Sequence, residues 1–96
     1  MLYKAWYGKS WNLNEAQSYI FVKNVEASSL EDAYQKMQGE IWSPNGEARE
    51  MILSLGLKHT SMSVGDVLED ENGILYLIEF FGFKKITEFP KKVVRL

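Results

Sequence analysis

Residues 57–86 read LKHTSMSVGDVLEDENGILYLIEFFGFKKI, and this stretch decides the fold. Asn72-Gly73 predicts a type I′ hairpin turn, because both central positions of that turn need a positive φ. We expect its two strands at residues 66–71 and 74–80. The run ILYLIEFF is apolar on both alternating faces, which is typical of a central strand covered on two sides, or of a strand with one side against a partner. Gly82 is expected to break or bend this strand, and FKKI to pair as a short last strand.

The first half of the chain predicts two more strands and two helices. LYKAWY and SYIFVKNVEA are rich in aromatic and β-branched residues, which favours strands, and the polar GKSWNLNEAQ between them is typical of a loop. Ser28 followed by Glu31 fits a capping box at the start of the first helix. For the second helix, Ser43 is the expected N-cap, with Pro44 at the first helical position and Gly56 as a left-handed residue at the end. The apolar faces are Leu30, Ala33, Tyr34, Met37 and Ile41 in the first helix and Ala48, Met51, Ile52 and Leu55 in the second.

The order of elements is therefore strand, strand, helix, helix, strand, strand, with a short fifth strand. This order predicts an α+β fold, in which an antiparallel sheet of four to five strands carries two helices packed on one face. The length of 96 residues, with 46% hydrophobic and 25% charged residues, is typical of a single domain over residues 1–96. From about residue 87 we expect a basic C-terminal tail that is solvated.

The composition excludes several classes of site. The chain has no cysteine, so it has no disulfide, no thiolate nucleophile and no cysteine-ligated zinc or iron–sulfur centre. The longest apolar run, residues 74–78, is too short to span a membrane, and the N-terminus lacks the pattern of a signal peptide. We therefore expect a cytoplasmic protein. The net charge of −2 is too small to steer the chain to a nucleic acid.

His59, Ser61 and Asp66 are the residue types of a hydrolytic triad, but their spacing does not favour one. In an extended segment His59, Ser61 and Ser63 share a face, and alternate residues stand about 7 Å apart, which is too far for direct proton transfer. The chain has no G-x-S-x-G elbow. The single histidine and the alternating carboxylates of residues 69–71 do not favour a metal site. We predict no enzymatic activity and no cofactor.

The segment SMSVGD, residues 61–66, has two interpretations. Short polar side chains and a glycine favour a structured turn that launches a strand, with Met62 and Val64 facing inward. The same polar residues are also candidates for a functional surface. We favour the turn.

The stretch from Thr60 to Ile86 resembles the signature of the YodL-like domain family, small modules found in bacteria, phages and mobile elements. That signature has a Ser-Leu/Met-Ser-Val-Ser-Asp-Val core, then a tyrosine, then Phe-Gly-Phe with a basic residue and an aliphatic. Here residues 61–67 match the core except at Gly65, Tyr76 follows, and residues 81–86 match the end. Thr60 stands where the family tends to have arginine. The resemblance covers about the last third of the chain and implies binding to host or element-encoded proteins, with no general catalytic activity or cofactor.

We therefore predict a non-enzymatic protein–protein interaction module, an accessory protein of a phage or mobile element. Two tryptophans are expected in loop or helix-end positions, where a large aromatic can anchor an interface, although core burial is favoured for either one alone. Self-association through a sheet edge or through the Phe80 to Phe83 corner is a variant of this prediction. The alternative is a small nucleic-acid-binding domain that uses exposed aromatics and the basic tail. The candidate interaction residues are His59, Thr60, Ser61, Ser63, Asp66, Phe81, Phe83, Trp11 and Trp42.

Overall fold

The computed structural model describes residues 1–9 and 19–90. Its strands pair in the order β2-β1-β3-β4-β5, and every neighbouring pair is antiparallel. The helices lie between the second and third strands, which confirms the α+β class and the five-stranded sheet. The helices are three short ones rather than the two that we predicted. The elements are β1 Leu2–Gly8, β2 Tyr19–Glu26, α1 Leu30–Lys36, α2 Gly39–Trp42, α3 Arg49–Ser54, β3 Val67–Glu69, β4 Leu75–Glu79 and β5 Gly82–Ile86.

The main core lies between one face of the sheet and the helical segment. Alternate residues of β1 point into it, and the register pairs Ala5 with Leu68 and Leu68 with Tyr76, so these three positions share that face. Burying a large apolar side chain contributes roughly 1.5–3 kcal/mol, so this layer is the main source of stability. The buried cluster comprises Tyr3, Ala5, Tyr7, Val22, Val25, Leu68 and Ile78 from the sheet and Ala27, Ala33, Met37, Ala48, Ile52, Leu57 and Met62 from the segments between strands.

The opposite face of the sheet carries an aromatic cluster. The ring of Trp6 lies 5.5 Å from that of Phe21 and 5.1 Å from that of Phe89, and Tyr19 also contacts Phe89 at 5.1 Å. The indole N–H of Trp6 donates to Glu69 Oε1 at 3.0 Å. Residues after β5 therefore return across this face and help to cover it.

The prediction of an interior strand within ILYLIEFF is confirmed. The strand β4 lies between β3 and β5, and its residues Leu75 and Ile78, which face opposite sides of the sheet, are both buried. The two phenylalanines that end the run are not part of it. They form the turn that connects β4 to β5, whose first residue is Gly82.

The Asn72-Gly73 hairpin joins β3 to β4 as predicted, but its turn is not of type I′. Of the two residues Asn72 and Gly73, only Gly73 has a positive φ, 78°, because no described residue other than glycine has one. The Asp70 carboxylate accepts hydrogen bonds from the N–H groups of Asn72 and Ile74, at 2.9 and 3.0 Å, and the Asp70 carbonyl accepts from Gly73 at 3.0 Å. The aspartate side chain thus stabilises a longer loop, and the strands are shorter than we predicted.

The first helix begins one residue later and ends earlier than we predicted. Ser29, not Ser28, is the N-cap, and its hydroxyl accepts from Asp32 N–H at 3.1 Å. The Asp32 carboxylate accepts in return from Ser28 N–H at 2.9 Å, so Asp32 fills the role expected of Glu31. Because the helix stops at Lys36 and a separate short helix follows, Ile41 is 59% exposed and the assignment of Ile41 to the buried face is wrong.

The second predicted helix begins at Arg49 instead of Pro44. Gly46 has a φ of 79°, which is incompatible with a continuous right-handed helix across this segment. The Ser43 hydroxyl instead accepts from Ala48 N–H at 2.9 Å and closes a turn before the helix.

The end of that helix is as predicted. Gly56 has a φ of 78°, its N–H donates to Leu53, and the N–H of Leu57 donates to Ile52. These two bonds are those of the Schellman motif.

The capping assignment predicts a difference between two adjacent serines. Ser29→Ala should lower the free energy of unfolding by about 1 kcal/mol, because the N–H of Asp32 loses its acceptor. Ser28→Ala should lower the free energy of unfolding by only about 0.3 kcal/mol, because the backbone N–H of residue 28 still donates to the Asp32 carboxylate. Urea denaturation of the two variants measures both values, and a larger loss for Ser28→Ala would contradict the N-cap.

Candidate functional site

The polar segment before β3 is organised around the carboxylate of Asp66, which is completely buried. Its Oδ1 accepts from Gly8 N–H at 2.9 Å. Its Oδ2 accepts from Ser63 N–H at 2.9 Å, from the Ser63 hydroxyl at 3.4 Å, and contacts His59 Nε2 at 3.1 Å. The carboxylate therefore ties the end of β1 to the loop that enters β3.

The backbone of the same segment is paired with β4. The N–H of Gly65 donates to the carbonyl of Ile78, and the N–H of Ile78 donates to the carbonyl of Asp66, both at 2.9 Å. The N–H of Asp66 donates to Ser63 at 3.0 Å and closes a turn. Met62 is buried, as expected for a residue that faces inward. The geometry is that of a structured turn that leads into a strand.

The ring of His59 stacks on Tyr7, with centroids 4.9 Å apart and planes 7° from parallel. The Tyr7 hydroxyl donates to the carbonyl of Thr60 at 2.6 Å. The histidine side chain is 28% exposed, whereas that of Asp66 is 1% exposed. The His59 ring thus lies between the solvent and the buried side chains of Tyr7 and Asp66.

Thr60, Ser61 and Trp42 connect this turn to α2. The indole N–H of Trp42 is shared between the carbonyls of Met37 at 3.0 Å and Thr60 at 3.2 Å. The Ser61 hydroxyl oxygen accepts from Gly39 N–H at 2.7 Å. The bonds of Thr60 use its backbone carbonyl, so they do not depend on the identity of its side chain.

Two tyrosines next to Asp66 have raised pKa values. Burial, together with the negative charge of Asp66, raises the pKa of the Tyr19 phenol to about 12. The same two causes raise the pKa of Tyr7 well above its ordinary range. The Tyr19 hydroxyl donates to the carbonyl of Gly65 at 2.6 Å. Both phenols therefore act as neutral hydrogen-bond donors around the turn.

The contacts of His59 and Asp66 do not form the relay of a hydrolytic triad. In such a triad the histidine lies between the carboxylate and a nucleophilic hydroxyl. Here Ser63 donates to the carboxylate directly, Ser61 accepts from a backbone N–H, and within residues 1–9 and 19–90 no serine or threonine hydroxyl is hydrogen-bonded to the His59 ring. The same ranges contain no group of three histidine or carboxylate residues placed to hold a metal ion.

The turn between β4 and β5 carries two exposed aromatic side chains. Phe80 and Phe81, which we term the hairpin tip, are 85% and 99% exposed, while Glu79 and Gly82 pair across the base of the turn. The candidate interaction residues predicted from the sequence included Phe81 but not Phe80, which was assigned to the end of the strand and named only as part of the Phe80 to Phe83 corner. Phe83, the last residue of the Phe-Gly-Phe motif, turns inward. Its ring centroid lies 6.3 Å from that of Tyr34 in α1.

A groove lies beside the hairpin tip, between α1 and the β4–β5 hairpin. Its volume is about 200 Å³. Its lining comprises Glu31, Tyr34, Gln35, Ile78, Glu79, Phe80, Gly82 and Phe83. The side chains of Glu31 and Glu79 are both exposed, and the alternation of β4 directs that of Glu79 to the sheet face opposite Ile78.

The candidate interaction residues thus fall into distinct groups. His59, Thr60, Ser61 and Ser63 are half-buried in the turn, and Asp66 is buried, so a direct contact between Asp66 and a partner is not available. Trp42 is half-buried and packs against the core, and Phe81 and Phe83 lie at the hairpin. Trp11 and the basic residues Lys91, Lys92 and Arg95 lie outside the described residues.

Comparison of the chain with protein-family models, with curated proteins and with solved structures found no match. Among the helices of residues 19–90, none is long and apolar enough to cross a membrane.

Removing the charge of Asp66 should destabilise the protein. Asp66→Asn replaces one carboxylate oxygen, which accepts hydrogen bonds, with an amide NH2 group. One buried N–H then loses its acceptor. We expect the free energy of unfolding to fall by on the order of 3 kcal/mol. Glu40→Gln, on an exposed side chain of α2, removes the same charge and should change stability by less than about 0.5 kcal/mol. Equal values for the two variants in urea denaturation would contradict the role of Asp66.

Stability should fall in alkali because of the tyrosines. The folded protein keeps the proton of Tyr19 up to pH about 12, whereas an ordinary tyrosine loses it near 10.0. Unfolding therefore releases protons between those values, and the free energy of unfolding decreases as the pH rises through this window. Tyr19→Phe should flatten the decrease, in urea titrations at successive pH values. A slope that is unchanged in Tyr19→Phe would show that Tyr19 does not contribute.

Proposed function

We propose that this chain is a non-enzymatic module that binds another protein through the hairpin tip. The observation that carries the proposal is the exposure of two adjacent phenylalanines, Phe80 at 85% and Phe81 at 99%. An aromatic side chain buries about 150–250 Å² when it is covered. At ~25 cal/mol per Å², covering both offers roughly 8–12 kcal/mol before the costs of association.

The fold itself does not account for these two side chains. A two-residue hairpin turn favours asparagine, aspartate or glycine, because those residues adopt its backbone angles readily. Phe80 and Phe81 make no contribution to the buried cluster, while Phe83 supplies the aromatic contact with α1. Exposed aromatic residues at a rigid turn are typical of the anchors of protein interfaces.

The polar turn around Asp66 has a supporting role in this proposal. It pairs through its backbone with Ile78, and Ile78 pairs with Phe83 across the hairpin. The turn therefore holds the base of the hairpin against the sheet, so that the tip projects from a fixed scaffold. In this proposal His59, Ser63 and Asp66 affect binding through the position of β4 and not by contact.

Nucleic-acid binding is the second candidate. Lys84 and Lys85 of β5 are exposed next to the two phenylalanines, and a basic strand beside exposed rings is able to bind a single strand by stacking and phosphate contacts. Glu79 directly precedes Phe80, and Glu31 lines the groove to which Phe80 contributes, so both negative charges repel phosphates near the tip. We therefore favour a protein partner.

The resemblance to the YodL-like family adds a biological setting to the proposal. It supports an accessory protein of a phage or other mobile element that acts on host or element proteins in the cytoplasm. The absence of cysteine suits that compartment.

Paired serine substitutions test the proposal. Phe80→Ser with Phe81→Ser removes the tip, and Ile41→Ser with Leu53→Ser removes a matched pair of exposed apolar side chains, each 59% exposed, from the helices. Both doubles should unfold at nearly the wild-type urea concentration, because none of these side chains is buried. In affinity capture from host lysate, we expect the tip double to reduce recovery of the partner protein at least tenfold and the helix double to leave it unchanged.

Nuclease-treated and untreated lysates are run in parallel. A protein that is recovered in both by wild type and by the helix double, and lost with the tip double, supports the proposal. Equal recovery with the tip double contradicts it. Recovery that disappears with nuclease, and weakens steeply with salt, favours the nucleic-acid alternative.

A further inference from the structure

The strand β5 forms one edge of the described sheet. It pairs with β4 on one side and ends the order β2-β1-β3-β4-β5, so no described strand lies on its other side. The residues Gly82, Lys84 and Lys85 of this strand are exposed. A strand at the edge of a sheet presents N–H and C=O groups that another extended chain is able to pair with. We term this side of β5 the free edge.

The register identifies the backbone groups of the free edge. In an antiparallel pair, hydrogen-bonded residue pairs alternate with pairs that are not hydrogen-bonded. The backbone of Ile78 bonds to the segment before β3, so its opposite residue, Phe83, is not bonded to β4. Two residues further along, Lys85 is opposite Tyr76 and has the same orientation. The N–H and C=O groups of Phe83 and Lys85 therefore point outward, and no backbone group within residues 1–9 and 19–90 bonds to them.

Two positive charges flank these backbone groups. Successive side chains of a strand point to opposite faces, so Lys84 lies on the face of Leu77 and Lys85 on the face of Tyr76. Both lysines are exposed, and neither forms a salt bridge with a carboxylate of the described ranges. An added strand thus meets one unpaired lysine on each of its faces.

The lysines decide between two possible occupants of the free edge. A second copy of this chain would pair its own β5 with this one, and the symmetric pairings centred on Lys84 or Lys85 bring lysine opposite lysine. Like charges directly opposite each other destabilise a strand pair, whereas opposite charges stabilise it. Lysine on an edge strand is a common device against such self-pairing. A strand that carries carboxylates gains from the same two charges.

We propose that the free edge binds an extended acidic segment of the partner, which adds to the sheet as an antiparallel strand beside the hairpin tip. This inference rests on the proposed function and names the partner's chemistry. The backbone of the segment bonds to the outward groups of Phe83 and Lys85. Its carboxylates lie opposite Lys84 and Lys85. In strand addition of this kind, the backbone bonds supply affinity and the side chains supply specificity.

Antiparallel pairing also fixes the order of the partner's residues. The residue opposite Lys85 comes first, the residue opposite Lys84 follows it, and the residue opposite Phe83 comes third. The segment that fits is therefore two consecutive carboxylates followed by an apolar residue, which packs beside the half-buried ring of Phe83. The chain beyond this apolar residue continues towards Phe81, because Phe80 and Phe81 directly precede β5. The free edge and the hairpin tip thus form one continuous surface.

The test uses the intact chain and a defined probe. The probe is a blocked peptide, Thr-Glu-Glu-Val-Thr in a glycine–serine frame, titrated to millimolar concentration into isotopically labelled protein and followed by NMR. We expect amide hydrogen exchange of Phe83 and Lys85 to slow at least tenfold, because their N–H groups gain acceptors. The N–H of Lys84, which faces β4, should change little. The same peptide with lysines in place of the glutamates should not bind.

A proline variant separates backbone pairing from charge. Lys85→Pro removes an N–H that points outward and no bond of the β4–β5 ladder, and proline is tolerated at such positions of edge strands. Lys85→Gln removes the same charge and keeps the N–H. We expect Lys85→Pro to bind the acidic peptide at least tenfold more weakly than Lys85→Gln does.

Charge reversal tests the two lysines without a change in the backbone. Lys84→Glu with Lys85→Glu should weaken the acidic peptide at least tenfold, because each attraction becomes a repulsion. Arg49→Glu with Lys58→Glu changes the net charge by the same amount and should leave the affinity within twofold. All four side chains are exposed, so the fold is retained. The midpoint of urea denaturation checks this for each variant.

Three results would overturn the inference: unchanged exchange of Phe83 and Lys85 with the acidic peptide, equal affinity of Lys85→Pro and Lys85→Gln, or equal affinity of the two charge-reversal variants. Tighter binding of an oligothymidylate than of the acidic peptide would also overturn it and would assign the lysines to a nucleic acid.

The inference and the proposed function fail separately. If the acidic peptide does not bind but Phe80→Ser with Phe81→Ser loses the partner, the proposed function stands without the free edge. If that tip double retains the partner and the peptide still slows exchange of Phe83 and Lys85, the proposed function fails and the free edge remains a site for an acidic strand.

Discussion

The rest of the structure depends on the hydrogen bonds that the buried carboxylate of Asp66 accepts. A carboxylate without water around it is costly unless its oxygens accept hydrogen bonds. Here the donors come from Gly8 at the end of β1 and from Ser63 and His59 in the loop before β3. The backbone of the same residue pairs with Ile78 of β4. One residue thus connects three parts of the chain that are distant in sequence.

This arrangement separates the residues that hold the molecule together from those that are free to bind. The polar segment 59–66, which has the composition of a site, is half-buried, and most of its hydrogen bonds are made within the molecule. Among the described residues, the most exposed large hydrophobic side chains are instead those of Phe80 and Phe81. In the proposed function, the polar segment affects the tip by holding the base of the hairpin and not by contact with a partner. A loop on a rigid scaffold is the usual position of a binding residue.

The strands and their order along the chain were largely predictable from the sequence, since β-branched and aromatic runs and a hairpin dipeptide are local signals. The order of the strands within the sheet, in which β1 pairs with β3, was not predicted. The predicted details that the structure contradicts are the ends of helices and the type of one turn, where neighbouring residues compete for the same hydrogen bonds. Ser28 and Ser29 are both good N-caps, and the sequence does not show which hydroxyl is used. The positive φ of Gly46 makes the helix α3 begin later than we predicted. The hydrogen bonds of the Asp70 carboxylate give the β3–β4 turn a type other than I′.

The candidate site was predictable only in part. The residues around Asp66 were recognised as a structured turn because short polar side chains bond to nearby backbone groups. The bond from Gly8 to Asp66 joins residues 58 positions apart and has no local signature. Phe80 was assigned to the strand because its pattern continues the apolar alternation. The turn is placed by the pairing of Ile78 with Phe83, which is a tertiary property.

Native-state hydrogen exchange of individual amides tests the central role of Asp66 most directly. The account predicts that the N–H groups of Gly8 and Ser63, which donate to its carboxylate, exchange only through global unfolding, with the same free energy as Ile78. Phe81, at the hairpin tip, should exchange much faster. Exchange of Gly8 and Ser63 as fast as that of Phe81 would show that the carboxylate does not hold these segments, and would contradict the account.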